Sequence, residues 1–80
     1  MAENYIIYAL KSLSHNYIYI GQTKNLANRF KRHNNGHEKT TRHYRPFKII
    51  YTERADNRLK ARLREKFLKS GFGKEYLKNI

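Results

Sequence analysis

The stretch "YIIYALKSLSHNYIYIGQT", residues 5–23, decides the fold. Tyr5 to Leu10 and Tyr17 to Ile20 are runs of β-branched and aromatic side chains, and the polar "KSLSHN" between them reads as the turn of a hairpin. A sheet wetted on one face would alternate apolar and polar residues; these runs are apolar at nearly every position, so cover on both faces is expected. With the turn at Ser12 to His15, Tyr8 falls directly opposite Tyr19, their Cβ atoms about 5 Å apart, and Gly21 falls beside Ile6. A slip of one residue would break that pairing. Such a tyrosine pair is most often packing alone, whereas a glycine ending a strand often marks a bulge or a close approach of backbone to a ligand.

Beyond Thr23, itself a turn or cap residue by type, the period changes. Leu26 and Phe30 stand one helical turn apart, Asn25 can cap the start, and "NNG" at 34–36 supplies a left-handed stop, predicting a helix over Asn25 to Asn34. The loop "HEKTTRHYR" has no periodicity, and "PFKIIYTE" reads as a third strand after Pro46. Asp56 is the expected cap of a longer helix reaching about Ser70, with Leu59, Leu63 and Phe67 as its main apolar stripe. "SGFG" ends it and "KEYLKNI" forms a short terminal helix. The expectation from these elements is a single domain over residues 1–80 in the order β-β-α-β-α-(α).

Eighty residues with 18 Lys+Arg and 6 Asp+Glu carry a formal net charge of +12 and a pI near 10.2. A chain this short supports one core, and its charge calls for a polyanionic partner. Aromatic residues interleaved with the cations favour nucleic acid over an anionic membrane. The lack of cysteine excludes disulfides and thiolate zinc sites. An acidic N-terminus and a short apolar run argue against a signal peptide or membrane span, making cytoplasmic residence the default expectation.

Placed at 100° per residue, Leu26, Arg29, Phe30 and His33 share one sector of the first helix, with Arg29 and His33 at its rim. Lys31 and Arg32 point into solvent. A guanidinium at the edge of a core needs an anion or carbonyls, and a phosphate would serve; His33 suits a structural histidine equally well. In the second helix, Glu65 shares a smaller stripe with Ala61 and Leu68, opposite the main one. It suits either a surface pair with Lys69 or Arg62, or an inward carboxylate binding a divalent cation, since Mg²⁺ can use only one or two protein carboxylates.

Assembled, these residues resemble the GIY-YIG nuclease family. "IIY", Ile6 to Tyr8, and "YIG", Tyr19 to Gly21, represent the paired motifs, with Ile6 where the family has its first glycine. "QTKNLANRFKRHNNG" looks like the family's Thr-x-x-Leu-x-x-Arg-x-x-x-His helix, and "ARLREKFLKSGFGKEYLK" is similar to the glutamate-bearing helix of small bacterial members, grouped with the N-terminal nuclease domain of UvrC. The resemblance implies an α/β (α+β) fold, a three-stranded antiparallel sheet flanked by helices, and metal-dependent hydrolysis of phosphodiesters, with Tyr8 and Tyr19 as active-site phenols, Arg29 as the phosphate-binding cation, His33 as a supporting residue and Glu65 as the ligand of one Mg²⁺ or Mn²⁺. A water deprotonated by Tyr8 would require its phenol to be lowered by Arg29, another cation or the metal. Lys24, Lys31, Arg32, Arg42 and Lys66 are the expected nucleic-acid contacts, DNA before RNA, with a protein partner as a further source of specificity. An asparagine that some members carry near the C-terminus has Asn79 as a candidate here, with Lys74 and Tyr76 as alternatives for its position. The contrasting expectation is a noncatalytic nucleic-acid-binding module or partner-dependent subunit.

Overall fold

The computed structural model describes residues 4–80; Met1 to Glu3, on which the reading of an acidic N-terminus partly rests, lie outside them. Strands β1 (Tyr5–Ser12), β2 (Ile18–Thr23) and β3 (Phe47–Ala55) form one antiparallel sheet in the order β2-β1-β3. Helix α1 (Leu26–Asn34) lies between β2 and β3 in the chain, a 3-10 turn (Arg42–Tyr44) follows it, and α2 (Arg58–Lys69) and α3 (Gly71–Lys78) complete the chain. This is the α+β architecture expected, with the helix-rich tail after the third strand.

Both faces of the sheet are covered, as the continuous apolar runs require. Ile7, Ala9, Ile20 and Ala55 pack with Ala61, Leu68 and Leu77 from α2 and α3. Tyr8, Leu10 and Phe47 build the other cluster with Tyr17, Tyr19, Leu26, Phe30 and Tyr44. Alternate residues of β1 therefore serve different cores, and the central strand is buried from Ile7 to Leu10.

The hairpin register differs from expectation. The strands run on to Ser12 and Thr23, Ser12 N–H bonds the Tyr17 carbonyl, and Tyr8 pairs with Gly21 while Leu10 pairs with Tyr19. The connection is wider than the Ser12 to His15 turn because the Ser12 hydroxyl accepts from the Ser14 and His15 backbone N–H groups, closing the loop from its near side. The shift is an even number of residues, so every side chain keeps its face. Gly21 thus lies beside Tyr8 rather than Ile6, and within the strand rather than at its end.

Helix α1 begins at its expected cap, where the Asn25 side chain accepts from the Asn28 N–H, and the chain leaves it through Gly36 at φ +79. Helix α2 is capped by Asn57 rather than Asp56: the Asn57 Oδ1 accepts from the Lys60 N–H, while Asp56 reaches only the Lys60 ammonium. Ser70 both ends α2 and caps α3, so "SGFG" starts the last helix as well as stopping the one before it.

The apolar face of α2 is also corrected. Leu59, Leu63 and Phe67, expected in the core, are 66%, 58% and 46% exposed, and the smaller stripe of Ala61 and Leu68 faces the sheet. Alanine at the contact lets the helix approach β1 and β2 closely, and the Arg64 guanidinium, bonded to Glu53 on β3 through two nitrogens, fixes its rotation.

Candidate active site

Three rings meet over Gly21. The Tyr8 and Tyr19 centroids are 6.1 Å apart, and His33 lies 6.0 Å from Tyr8 and 4.8 Å from Tyr19. The tyrosines are diagonal rather than facing, which still allows long side chains to meet on one face. A Cβ at Gly21 would lie 2.8 Å from the Tyr8 hydroxyl and 2.9 Å from Tyr19 Cε2, so only glycine lets both rings close over the strand.

His33 comes from the end of α1 and is fully buried. Its Nε2 shares a hydrogen bond with the Tyr8 hydroxyl at 3.1 Å, and its Nδ1 shares one with the Thr41 Oγ1 at 2.8 Å. Tyr8 and Thr41 are buried with it, making a closed chain of polar groups from β1 through α1 to the loop before β3. Burial lowers the His33 pKa from its ordinary value, against the Glu38 carboxylate, which raises it; Arg29 and Arg32 add to the lowering. At neutral pH the ring is uncharged, with one nitrogen free to accept.

The protein's own cations do not lower the phenols below their ordinary value. Burial raises the pKa of Tyr8 well above its ordinary value, Tyr19 adds to the rise, and Arg29 opposes it too weakly to reverse it. Burial raises Tyr19 likewise, followed by the negative charge of Glu65. Tyr8 is therefore a neutral hydrogen-bonded phenol and not a phenolate held ready by Arg29.

Arg29 is at the rim of α1, as its helical position indicated, and the anion it needs is present: its Nη1 bonds Glu38 Oε1 at 3.4 Å, and Arg32 Nε bonds the same oxygen at 2.9 Å. Arg32 therefore does not simply point into solvent. The remaining donors of Arg29 carry no protein partner among the described residues. Glu65 sits on the sheet-facing side of α2, where its Oε2 accepts from Gln22 Nε2 at 3.3 Å and its Oε1 pairs with Lys69 at 3.5 Å. One oxygen thus makes the surface pair with Lys69, and the other turns inward to Gln22. The charges of Arg29 and Glu65 both act on the Tyr8 and Tyr19 phenols, Arg29 lowering and Glu65 raising their pKa values.

Among the described residues no three His, Asp or Glu side chains converge to cage a metal. What is available is a single hard carboxylate, with an amide at its side and solvent access. That donor set fits a hydrated Mg²⁺ or Mn²⁺, which needs few protein ligands and takes the rest from water and substrate.

Sequence reasoning missed Glu38, Thr41 and Gln22. The need of Arg29 for an anion was the signal for Glu38, but the aperiodic loop gave no means of saying which residue returns to α1. The cations expected on nucleic acid are dispersed: Lys31, Arg42 and Lys66 are exposed, Lys24 lies 5.2 Å from the Tyr5 ring, and Arg32 is held by Glu38. Asn79 caps α3 and donates to the Glu75 carbonyl at 2.9 Å, a local role. Thr23 closes the turn into α1 through the Asn25 backbone, as its type suggested.

A three-stranded sheet that sets two tyrosines around a strand glycine, with an arginine and a histidine from the next helix and a glutamate from a later one, defines a nuclease fold of the GIY-YIG kind. The chain belongs to that family: it matches the GIY-YIG catalytic domain over residues 4–78. Among its relatives is a UPF0213 protein of Clostridium perfringens, 42% identical over 67 residues that span 82% of this chain and 70% of that one. The solution NMR structure of a UPF0213 protein from Bacillus halodurans is similar to it with a TM-score of 0.57 and 29% identity, covering 95% of this chain and 83% of that one. No helix among the described residues is long and apolar enough to cross a membrane.

Proposed function

We propose that this protein is a divalent-metal-dependent endonuclease that hydrolyses phosphodiester bonds in DNA, serving repair or recombination. The observation that carries this reading is the convergence of Tyr8, Tyr19 and His33 over Gly21, with the charges of Arg29 and Glu65 acting on the same two phenols. Glu65 would hold the ion, which when bound supplies Lewis-acid neutralisation of the phosphate oxygens.

The chain's own groups do the rest. The free donors of Arg29 bind a non-bridging oxygen and offset the negative charge that grows as the phosphorus becomes five-coordinate. The Tyr8 oxygen takes the proton of the attacking water while the Tyr8 hydroxyl proton passes to His33 Nε2, along the 3.1 Å hydrogen bond between them. The bond from phosphorus to the leaving oxygen breaks, that oxygen takes a proton from solvent, and His33 returns its proton to solvent through Tyr8. Tyr8 then never persists as a phenolate, so its raised pKa is no obstacle. Thr41 holds the Nδ1 side of the ring, leaving Nε2 to accept, and Tyr19 orients the water or the phosphate.

The pairing of Arg29 with Glu38 and the burial of Tyr8 also suit a binding module that does not cleave. Plasmid and branched DNA incubated with Mg²⁺ or Mn²⁺ and with EDTA separate the two. The endonuclease reading expects metal-dependent nicking that Glu65→Gln abolishes while DNA binding persists; cleavage that survives in Glu65→Gln sinks the mechanism, and binding without cleavage under every condition favours the module.

A further inference from the structure

Gln22 ties the tyrosine strand to the glutamate helix. It follows Gly21 on β2, an edge strand, and its side chain leaves the sheet toward α2, donating from Nε2 to Glu65 Oε2 at 3.3 Å. The other end of the same amide, Oε1, is buried and without a hydrogen-bond partner, alone in this among the side-chain atoms of the described residues. An orphaned buried carbonyl is unfavourable and needs a reason, and one reason is an ion whose coordination it completes. Here the orphan is a hard oxygen on the residue that already touches the carboxylate assigned to the metal.

We propose that Gln22 Oε1 is a second protein ligand of the divalent cation held by Glu65, an assignment that rests on the endonuclease reading. An amide oxygen is a ligand of the class that hard divalent ions accept, and as a neutral one it adds a donor without a second negative charge. That matters beside a phosphate: two carboxylates would repel the substrate that the cationic surface attracts. The placement on an edge strand lets a single strand serve two parts of the site, with Tyr19 toward the α1 face and Gln22 toward α2. The contrasting role for Gln22 is to position Glu65 through Nε2 alone.

Titration of ¹⁵N-labelled protein with Mg²⁺, without nucleic acid, tests the assignment on the unaltered chain by following the Gln22 side-chain amide signals. A ligand role expects these signals to shift saturably with ion binding. In addition, Gln22→Met, close in size but offering a soft thioether, is expected to weaken Mn²⁺ at least about tenfold while raising the ratio of Cd²⁺ to Mn²⁺ affinity severalfold. A positioning role weakens both ions alike and leaves that ratio unchanged. If Glu65→Gln abolishes ion binding but the Gln22 amide signals stay fixed at saturating Mg²⁺, this assignment fails and the Glu65 reading stands. If the unaltered protein binds no ion, or Glu65→Gln binds as well, the Glu65 reading fails and takes this one with it.

Discussion

A β-carbon at position 21 would meet the Tyr8 hydroxyl at 2.8 Å and Tyr19 Cε2 at 2.9 Å, both on rings whose neighbours leave them little room to retreat. Gly21→Ala is accordingly expected to destabilise the fold by about 1–3 kcal/mol, the usual scale of overpacking, and to alter the Tyr8–His33 contact. Urea denaturation with tyrosine fluorescence reads the first effect. At His33 the consequence is a pH dependence. Burial holds the folded imidazole below its ordinary 6.5, so as pH falls the unfolded chain takes up the proton first. The stabilisation tied to the neutral ring is complete above about pH 6.5 and is lost as pH drops from there toward the lower folded value. Unfolding midpoints measured from pH 7.5 to pH 5 are expected to fall, and His33→Asn is expected to flatten that slope. A slope unchanged in His33→Asn would assign the effect elsewhere.

Helix α2 shows how far an apolar stripe can mislead. By hydrophobicity alone Leu59, Leu63 and Phe67 are its inner face, yet they are exposed, and the sheet takes Ala61 and Leu68 instead. With Ala61 and Leu68 packed on the sheet core, the same rotation brings Glu65 to Gln22 at the edge of β2 and Arg64 to Glu53 on β3. Leu68→Ala is therefore expected to cost about 2–5 kcal/mol and Leu63→Ser no more than about 0.5 kcal/mol, compared by urea denaturation. Equal costs would return Leu63 to the core. Helix α1 was more legible because its cap, stripe and glycine stop all agree, and His33 at its far end follows from the same periodicity that places Leu26 and Phe30.

At the scale of the whole molecule, a net charge of +12 dominates encounter with a polyanion. Affinity for duplex DNA is expected to fall linearly in logarithm with the logarithm of salt, by about 0.9 for each phosphate contacted. The structure divides the cations for this purpose. Lys66 is exposed on α2 and has no acidic partner among the described residues, whereas Arg32 is already held by Glu38. Lys66→Gln is expected to reduce the slope by about 1, and Arg32→Gln by less, in binding titrations from low to moderate salt; the reverse order would mean that Glu38 releases Arg32 to the nucleic acid.

The sequence by itself determined the order of elements, the doubly covered sheet and the capped first helix, and it pointed to Tyr8, Tyr19, Arg29, His33 and Glu65 as candidates, because periodicity, turn chemistry and motif spacing are local and are written in neighbouring residues. It also indicated that Arg29 needs an anion. Only the tertiary structure decided which anion, since Glu38 returns to α1 from an aperiodic loop, and likewise the partners Thr41 and Gln22, which lie far from His33 and Glu65 along the chain. The hairpin register and the inward face of α2 were also decided there. A wider loop closed by the Ser12 hydroxyl set the first, and contacts made at a distance in sequence overruled helical hydrophobicity in the second.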